Sequence, residues 1–405
     1  MLMLKKTIAA LSLLSILAAC QNDENPSQPE PKPRQDINLT RAEQEFMDKG
    51  TDFAFRFFDQ VCSTEKEKPN IFVSPLSASL CLSMITNGAT DNTLAEMQDV
   101  LGFPATTFSL DDLNNYNQKL TSALLDLDNT TQLGIANSIW IKEGFKVYDS
   151  FVDVNKKMYD AQVQELDFTS PTAKDVINQW CANKTNNCIK EVIQEIPADA
   201  RMYLINALYF KGIWKSQFDK SATGQDNFTN ADGSQKEVAM MNQTSTFNYT
   251  QTDDFSIAEL PYGNEAFSMV ILLPSGDKTL YESLSGLNYE NWKLWSKNMT
   301  GRELQIKLPR FKVEYDKKLE EDMIAMGMKD AFDTRKAKFA NMSGAELYIG
   351  LLQQFTYINV DEEGTEAAAV TVGGMLDSAV GFPSPVPFFC LLYTSPSPRD
   401  PKTSR

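Results

Sequence analysis

Along this chain the apolar positions recur at helical spacing up to about residue 88 and turn mostly to strand-like runs after residue 200. Thr40-Arg-Ala-Glu43 has the spacing of a capping box, and Phe46, Phe53, Phe57 and Val61 then fall on one helical stripe. Ser74-Pro75 reads as a helix start, with Ser as cap, Pro at the first helical position and Gly88 marking the end. Residues 133–141 alternate as a strand, Asp149 is placed to cap a helix running to Tyr159, and residues 176–184 are helical again. Residues 202–210 form a nearly continuous apolar run, the pattern of a strand buried on both faces. Asn230-Ala-Asp-Gly233 predicts a hairpin turn, and Gly263-Asn264 a two-residue hairpin between residues 257–262 and 267–273. Leu304, Ile306 and Leu308 alternate in one further strand and residues 355–360 in another. Without repeats or a strong interior linker, the pattern predicts one α+β domain.

Composition narrows the chemistry. At 405 residues and 42% hydrophobic content the chain can bury a large core. Its net charge is −16, and residues 20–389 alone carry 33 basic against 53 acidic residues, or −20. So acidic a body repels nucleic acid and anionic lipid, and no nucleic-acid partner is expected. There is no His, which removes Ser-His-Asp and Cys-His catalysis and imidazole metal sites. Cys62, Cys81, Cys181 and Cys188 include no CxxC pair, so no metal or redox site is expected; Cys181 and Cys188 could form a disulfide in an exported protein or stay as small free core residues. No Gly-rich phosphate loop occurs, no cofactor is expected, and no residue is assigned a catalytic role. An enzyme built on carboxylates alone is the one class left, and spacing cannot pair its acids.

The two ends differ from the body. Lys5-Lys6, an apolar run over residues 8–17 and then Leu17-Ala18-Ala19-Cys20 make a secretion signal over residues 1–19, too short to span a membrane. The Cys after Leu-Ala-Ala resembles the lipobox of bacterial lipoproteins, which implies lipidation at Cys20 and an outer-membrane location. Gln21-Asn22-Asp23-Glu24 resembles the acidic signal that takes lipoproteins of Bacteroides-like bacteria to the cell surface. Four prolines between Pro26 and Arg34 suit a solvated tether, residues 20–35, ahead of a domain over 36–389. Cys390-Leu-Leu-Tyr-Thr-Ser-Pro-Ser-Pro-Arg-Asp400 resembles a translated sequencing-library adapter, so residues 390–405 are expected to be a non-native tail.

The most informative segment is Glu362-Glu363-Gly364-Thr365-Glu366-Ala367-Ala368-Ala369-Val370-Thr371. Taken alone it suits an Ala-rich helical turn. It also suits a strand in waiting, since Thr365, Ala367, Ala369, Thr371, Gly373 and Met375 would share one face and are mostly small. The segment resembles the hinge of the reactive loop of serpins, the serine-protease-inhibitor family. Asn70-Ile-Phe-Val-Ser-Pro-Leu-Ser77, Leu133-Gly-Ile-Ala-Asn-Ser-Ile-Trp140, Ile205-Asn-Ala-Leu-Tyr-Phe-Lys-Gly-Ile-Trp214, Leu260-Pro-Tyr262 and Leu308-Pro-Arg-Phe311 resemble further motifs of the family, in order.

The resemblance implies the family's fold: three β-sheets, about nine helices and an exposed reactive loop, here about residues 362–387. It also implies two apolar strands after Pro387-Phe388-Phe389, which this sequence lacks. The implied activity is inhibition of serine-type endopeptidases by a suicide-substrate route, the cut loop inserting as a new central strand while the protease is trapped as an acyl-enzyme. The family's spacing from Gly364 sets the reactive bond at Ser378–Ala379, within about two residues. Lacking Lys or Arg from Thr365 to Phe389, the loop suits elastase- or subtilisin-like and papain-like proteases with small or aliphatic pockets rather than trypsin-like ones. Trp214 matches the family's Trp at the sheet top where the loop enters. Ser74, Ser77 and Asn206 match the shutter that opens for it. Gln354 stands where the family usually has a His, so opening should not titrate between pH 5 and 8. A monomer is expected. A non-inhibitory serpin-fold binding protein at the cell surface is the competing reading.

Overall fold

The computed structural model describes residues 32–230, 234–276, 278–365 and 385–390. Helix α1 (Arg41–Thr64) opens with the predicted capping box and buries Phe46, Phe53, Phe57 and Val61. Helix α2 (Pro75–Thr86) starts at the Ser74 cap, whose hydroxyl accepts from Ser77 N–H, and α3 (Asp91–Leu101) and α4 (Leu110–Asp126) follow. Then come β1 (Gln132–Lys142), α5 (Asp149–Tyr159), β2 (Gln162–Leu166), α6 (Ala173–Lys184) and β3 (Met202–Ile213). The next run is mainly sheet: β4 (Gly224–Thr229), β5 (Gln235–Gln251), β6 (Phe255–Pro261) and β7 (Ser268–Pro274). Short helices α7 (Leu280–Leu284) and α8 (Tyr289–Asn298) lead to β8 (Thr300–Pro309), β9 (Phe311–Lys318) and α9 (Glu320–Met326). The described chain ends with β10 (Gln353–Val360), the two-residue β11 (Gly364–Thr365) and β12 (Val386–Phe389).

The first sheet has the order β2-β1-β3-β11-β10-β9. Helices α1 to α5 pack beneath it around Phe53, Phe57, Leu82, Met84, Met97 and Phe151. Helix α6 covers the other side through Ile177 and Trp180, against Trp140 and Ala207. In the second network the long β5 runs through two layers. Its residues 235–240 pair with β4, 240–249 with β8 and 248–251 with β6, so the second and third expected sheets are continuous through this strand. Leu304, Ile306 and Leu308 point into its core beside Phe388.

Four local expectations change. Asp149 is the first residue of α5 rather than its cap; Tyr148 is the cap and makes no side-chain capping bond. Gly263-Asn264 is not a two-residue hairpin, because the Tyr262 N–H reaches the Phe267 carbonyl and the turn is longer. Asp128 fixes that wider turn: its carboxylate accepts the Asn264 N–H, and the Asn264 side chain donates to the Leu127 carbonyl. Strand β3 is mostly half-buried rather than buried on both faces, and one of its edges borders a cleft over its first half, residues 202–207. Finally, the predicted exposed loop begins buried, since Glu362, Glu363, Gly364 and Thr365 all lie inside the sheet top. Among the described residues Cys181 and Cys188 form no disulfide.

Candidate functional site

Among the described residues, strands β3 and β10 are neighbours only through β11, of which Gly364–Thr365 is described. Below it a cleft of about 580 Å³ separates them, walled by residues 202–207 on one side and 353–355 on the other. Ala78, Cys81 and Ile85 of α2 form its floor. Both walls therefore carry backbone N–H and C=O groups facing a gap of strand character, groups that elsewhere in a sheet a neighbour would satisfy.

The top of the cleft is built by the turn after β10. Asp361 Oδ1 accepts the Glu363 N–H at 2.9 Å and the Gly364 N–H at 3.3 Å, and the Asp361 N–H reaches the Gly364 carbonyl. This turns the chain back so that Thr365 pairs antiparallel with Val360 on one side and Gly212 on the other. Only Gly fits at 364: a Cβ there would lie 2.0 Å from the Gly212 carbonyl oxygen. A Cβ on Gly212 would in turn meet the Tyr262 ring at 2.8 Å. Trp214 stacks on Tyr262 with centroids 4.4 Å apart, and its indole N–H donates to the Asp361 carbonyl at 2.9 Å. The Tyr262 and Thr365 hydroxyls share a hydrogen bond, with Thr365 only 4% exposed.

Three consecutive acids sit here against two cations. Glu362, 1% exposed, pairs with Arg310 and accepts the Thr223 hydroxyl at 2.7 Å. Glu363 pairs with Lys220, while Asp361 has no cation partner among the described ion pairs. Burial pushes the Glu362 carboxyl up, but the Arg310 and Thr223 hydrogen bonds outweigh it and hold its pKa below the usual value. Asp361 goes the other way, raised by burial and by the charges of Glu363 and Glu362 against its two backbone bonds. The signs are therefore opposite. Glu362 stabilises the hinge above the ordinary carboxylate range and loses that contribution as pH falls through its depressed pKa; ionised Asp361 destabilises it, and protonation relieves the cost. Asp361→Asn keeps an acceptor for both N–H groups and removes the charge. It should melt higher than the parent at pH 7 by differential scanning fluorimetry, with the gap closing towards pH 4.

Lower in the cleft, Gln354 of β10 bonds both ways to the Ser74 backbone: its carbonyl accepts the Ser74 N–H and its amide donates to the Ser74 C=O, each at 2.8 Å. Ser77, beside them, is buried at the start of α2. Asn206 stands on the opposite wall and is turned away, its amide donating to Asn137 Oδ1 of β1 at 2.8 Å. Thus Ser74, Ser77 and Gln354 are brought together, and Asn206 lines the other wall with its amide bonded to Asn137. Trp214, Glu362, Gly364 and Thr365 meet at the top. Glu366, Ala367, Ala368, Ala369, Thr371, Ser378, Ala379 and Cys20 lie outside the described residues. Sequence reading missed Lys220 and Thr223, and quoted Gly212 and Asn137 inside motifs without giving them a role. Tyr262 and Arg310 lay inside motifs it quoted, Leu260-Pro-Tyr262 and Leu308-Pro-Arg-Phe311, without a role; both side chains end on the hinge.

A family model described as Serpin (serine protease inhibitor) matches residues 48–397. Serpin B6 of Macaca fascicularis is 36% identical over 332 residues, covering 79% of this chain and 86% of its own length. The crystal structure of the thermophilic serpin tengpin in the native state superposes with a TM-score of 0.77 at 30% identity, covering 90% of this chain and 92% of that one. That of reactive-loop-cleaved human thyroxine binding globulin gives a TM-score of 0.76 at 23% identity over 80% of this chain and 96% of that one, a likeness of fold.

Proposed function

The chain belongs to the serpin family, whose members are in general protease inhibitors, and we propose that it inhibits serine-type endopeptidases by taking its own cut loop into the cleft between β3 and β10. The observation that carries this reading is the register of β11. Thr365 lies opposite Gly212 on β3 and Val360 on β10. Continuing both antiparallel ladders by six residues would set Thr371 opposite Asn206 and Gln354 together. Both registers agree on a pair of polar residues that face the gap. Asn206 Oδ1 is buried without a hydrogen-bond partner among the described residues, and a Thr hydroxyl arriving there would supply the missing donor. Residues 366–372 would each be flanked on both sides before β10 ends at Gln353.

In this reading a protease serine attacks the carbonyl of Ser378, forms the ester and releases the amine of Ala379. The freed strand fills the cleft faster than water deacylates the enzyme. The lack of Lys and Arg in the loop favours targets with small or aliphatic pockets, elastase- or subtilisin-like and papain-like, over trypsin-like ones. Leu17-Ala18-Ala19-Cys20 supports lipid anchoring at Cys20 on the bacterial outer membrane, the inhibitor domain facing outward and acting as a monomer.

One preparation tests both parts. The chain is recovered from the host's membrane fraction, where the anchor would hold it; recovery in the soluble fraction would remove the anchoring proposal. It is then mixed with elastase or with trypsin and run on a denaturing gel. A covalent band at the summed mass less residues 379–405 is expected with elastase, and none with trypsin. Clipping without a trapped band would replace inhibition by the non-inhibitory binding reading.

A further inference from the structure

The segment ahead of α1 is fastened near the end of the first sheet that holds β11. The Lys32 N–H donates to Asn129 Oδ1 at 2.8 Å, and the Lys32 ammonium donates to Asp126 Oδ1 at 2.7 Å. Both acceptors lie where α4 hands over to β1. Strand β1 starts at Gln132, opposite Lys211, and Lys211 adjoins the Gly212 that faces Thr365. Asp128 ties the same corner to the turn after β6 by accepting the Asn264 N–H, and the Gly263 N–H in that turn reaches the Ile213 carbonyl. Summed at chain and strand spacings, these steps put Lys32 within about 30 Å of Thr365. The opposite end of the sheet is marked by the pairs Ile141–Met202 and Gln353–Lys318. Along β3 it lies about 33 Å from Gly212.

We propose that this fastening orients the anchored protein, turning the end of the sheet where the loop enters towards the lipid surface and the other end away from it. The inference rests on the anchoring and insertion readings above. With lipid on Cys20, the chain from there to Lys32 reaches at most about 40 Å. The fastened corner is then the part of the domain held closest to the bilayer. A body carrying −20 over residues 20–389 is repelled by anionic headgroups, which keeps the rest of it standing off. The reach is also roughly the width of a small single-domain protease, so such an enzyme fits beneath the domain. Insertion thereby acquires a direction relative to the membrane. Continuing the β11 register would set residue 375 opposite Met202, so an enzyme esterified to Ser378 ends beyond the far end of β3. Trapping carries the protease from the bilayer side of the domain to its outer side.

The test reconstitutes the lipidated full chain into phosphatidylcholine vesicles with a fluorescent acceptor on a small share of headgroups. Donor-labelled elastase is added in two forms. One has its nucleophilic serine replaced by alanine and docks without acylation; the other is active and is trapped. Energy transfer to the headgroups should be high for the docked form and fall by half or more on trapping. In the double variant Asp126→Ala with Asn129→Ala, Lys32 is released and the free tether extends to Thr40. Docked transfer should then fall and the two forms draw together, while the covalent band on the gel is unchanged. Equal transfer from both forms in the parent, higher transfer after trapping, or a double variant indistinguishable from the parent overturns the orientation. A chain that does not float with the vesicles shows that anchoring fails, and a parent giving no covalent band shows that insertion fails; this proposal falls with either.

Discussion

A single cut in the loop should raise the melting temperature of the protein by on the order of 10 °C or more, the reverse of what a nick does to most folded chains. The gain comes from the cleft. Residues 366–372 would be paired on both sides, and each strand rung is worth a net ~1 kcal/mol while ordering each residue costs about 1–2 kcal/mol. Ladder bonds alone therefore roughly balance the entropy. The surplus must come from filling about 580 Å³ lined in part by Ile85, Ile193 and Leu204, and from satisfying the facing backbone groups of β3 and β10. A surplus of about 8 kcal/mol corresponds to roughly 10 °C in a domain of this size. Before cleavage this energy is out of reach because the loop is tethered at both ends, at Thr365 and at β12, which is paired to β8. The uncut state is then kinetically trapped. Calorimetry on uncut chain and on chain nicked by elastase, repurified from the protease, checks it. Equal or lower melting of the nicked form would remove the cleft as the loop's destination.

How far the sequence carried the fold depended on whether the signal was local. The capping box at Thr40, the Ser74 cap and the alternation of Leu304, Ile306 and Leu308 are set by neighbours in the chain, and the structure repeats them. The turn at 263–266 is set by Asp128, more than 130 residues away, and no dipeptide preference reports that. The apolar run of β3 was read as fully buried because composition cannot distinguish a strand with two neighbours from one bordering a gap. At the site, small residues and Gly364 pointed to the hinge. The reason for Gly364, however, is the backbone of Gly212, a contact between distant segments. Asn137 lay inside a quoted motif without a role, because an Asn in an apolar strand gives no indication of which elements its amide joins.

Thr365→Arg should abolish trapping while leaving the loop cleavable. Thr365 is enclosed by Gly212, Val360 and the Tyr262 ring, and its hydroxyl is bonded to the Tyr262 hydroxyl. An Arg would have to bury a guanidinium where the carboxylates of Glu362 and Glu363 are already paired to Arg310 and Lys220 and that of Asp361 is engaged by the Glu363 and Gly364 N–H groups. An uncompensated buried charge costs about 3–5 kcal/mol. At 1.4 kcal/mol per decade, that is roughly 100- to 1,000-fold in the partition between insertion and hydrolysis of the acyl-enzyme. Since Thr365 already sits in the uncut sheet, the Arg would first drive β11 out of it, and the cut strand would then have to bury the charge to re-enter. Because Thr365 lies far from Ser378 along the chain, recognition and cutting by elastase should keep their rate. The expected gel shows complete clipping and no covalent band, and the clipped variant melts with the uncut protein rather than above it. Thr365→Val, which keeps the shape and loses only the bond to Tyr262, should trap nearly as well as the parent. A Thr365→Arg variant that still traps at parental stoichiometry would show that insertion does not begin at β11.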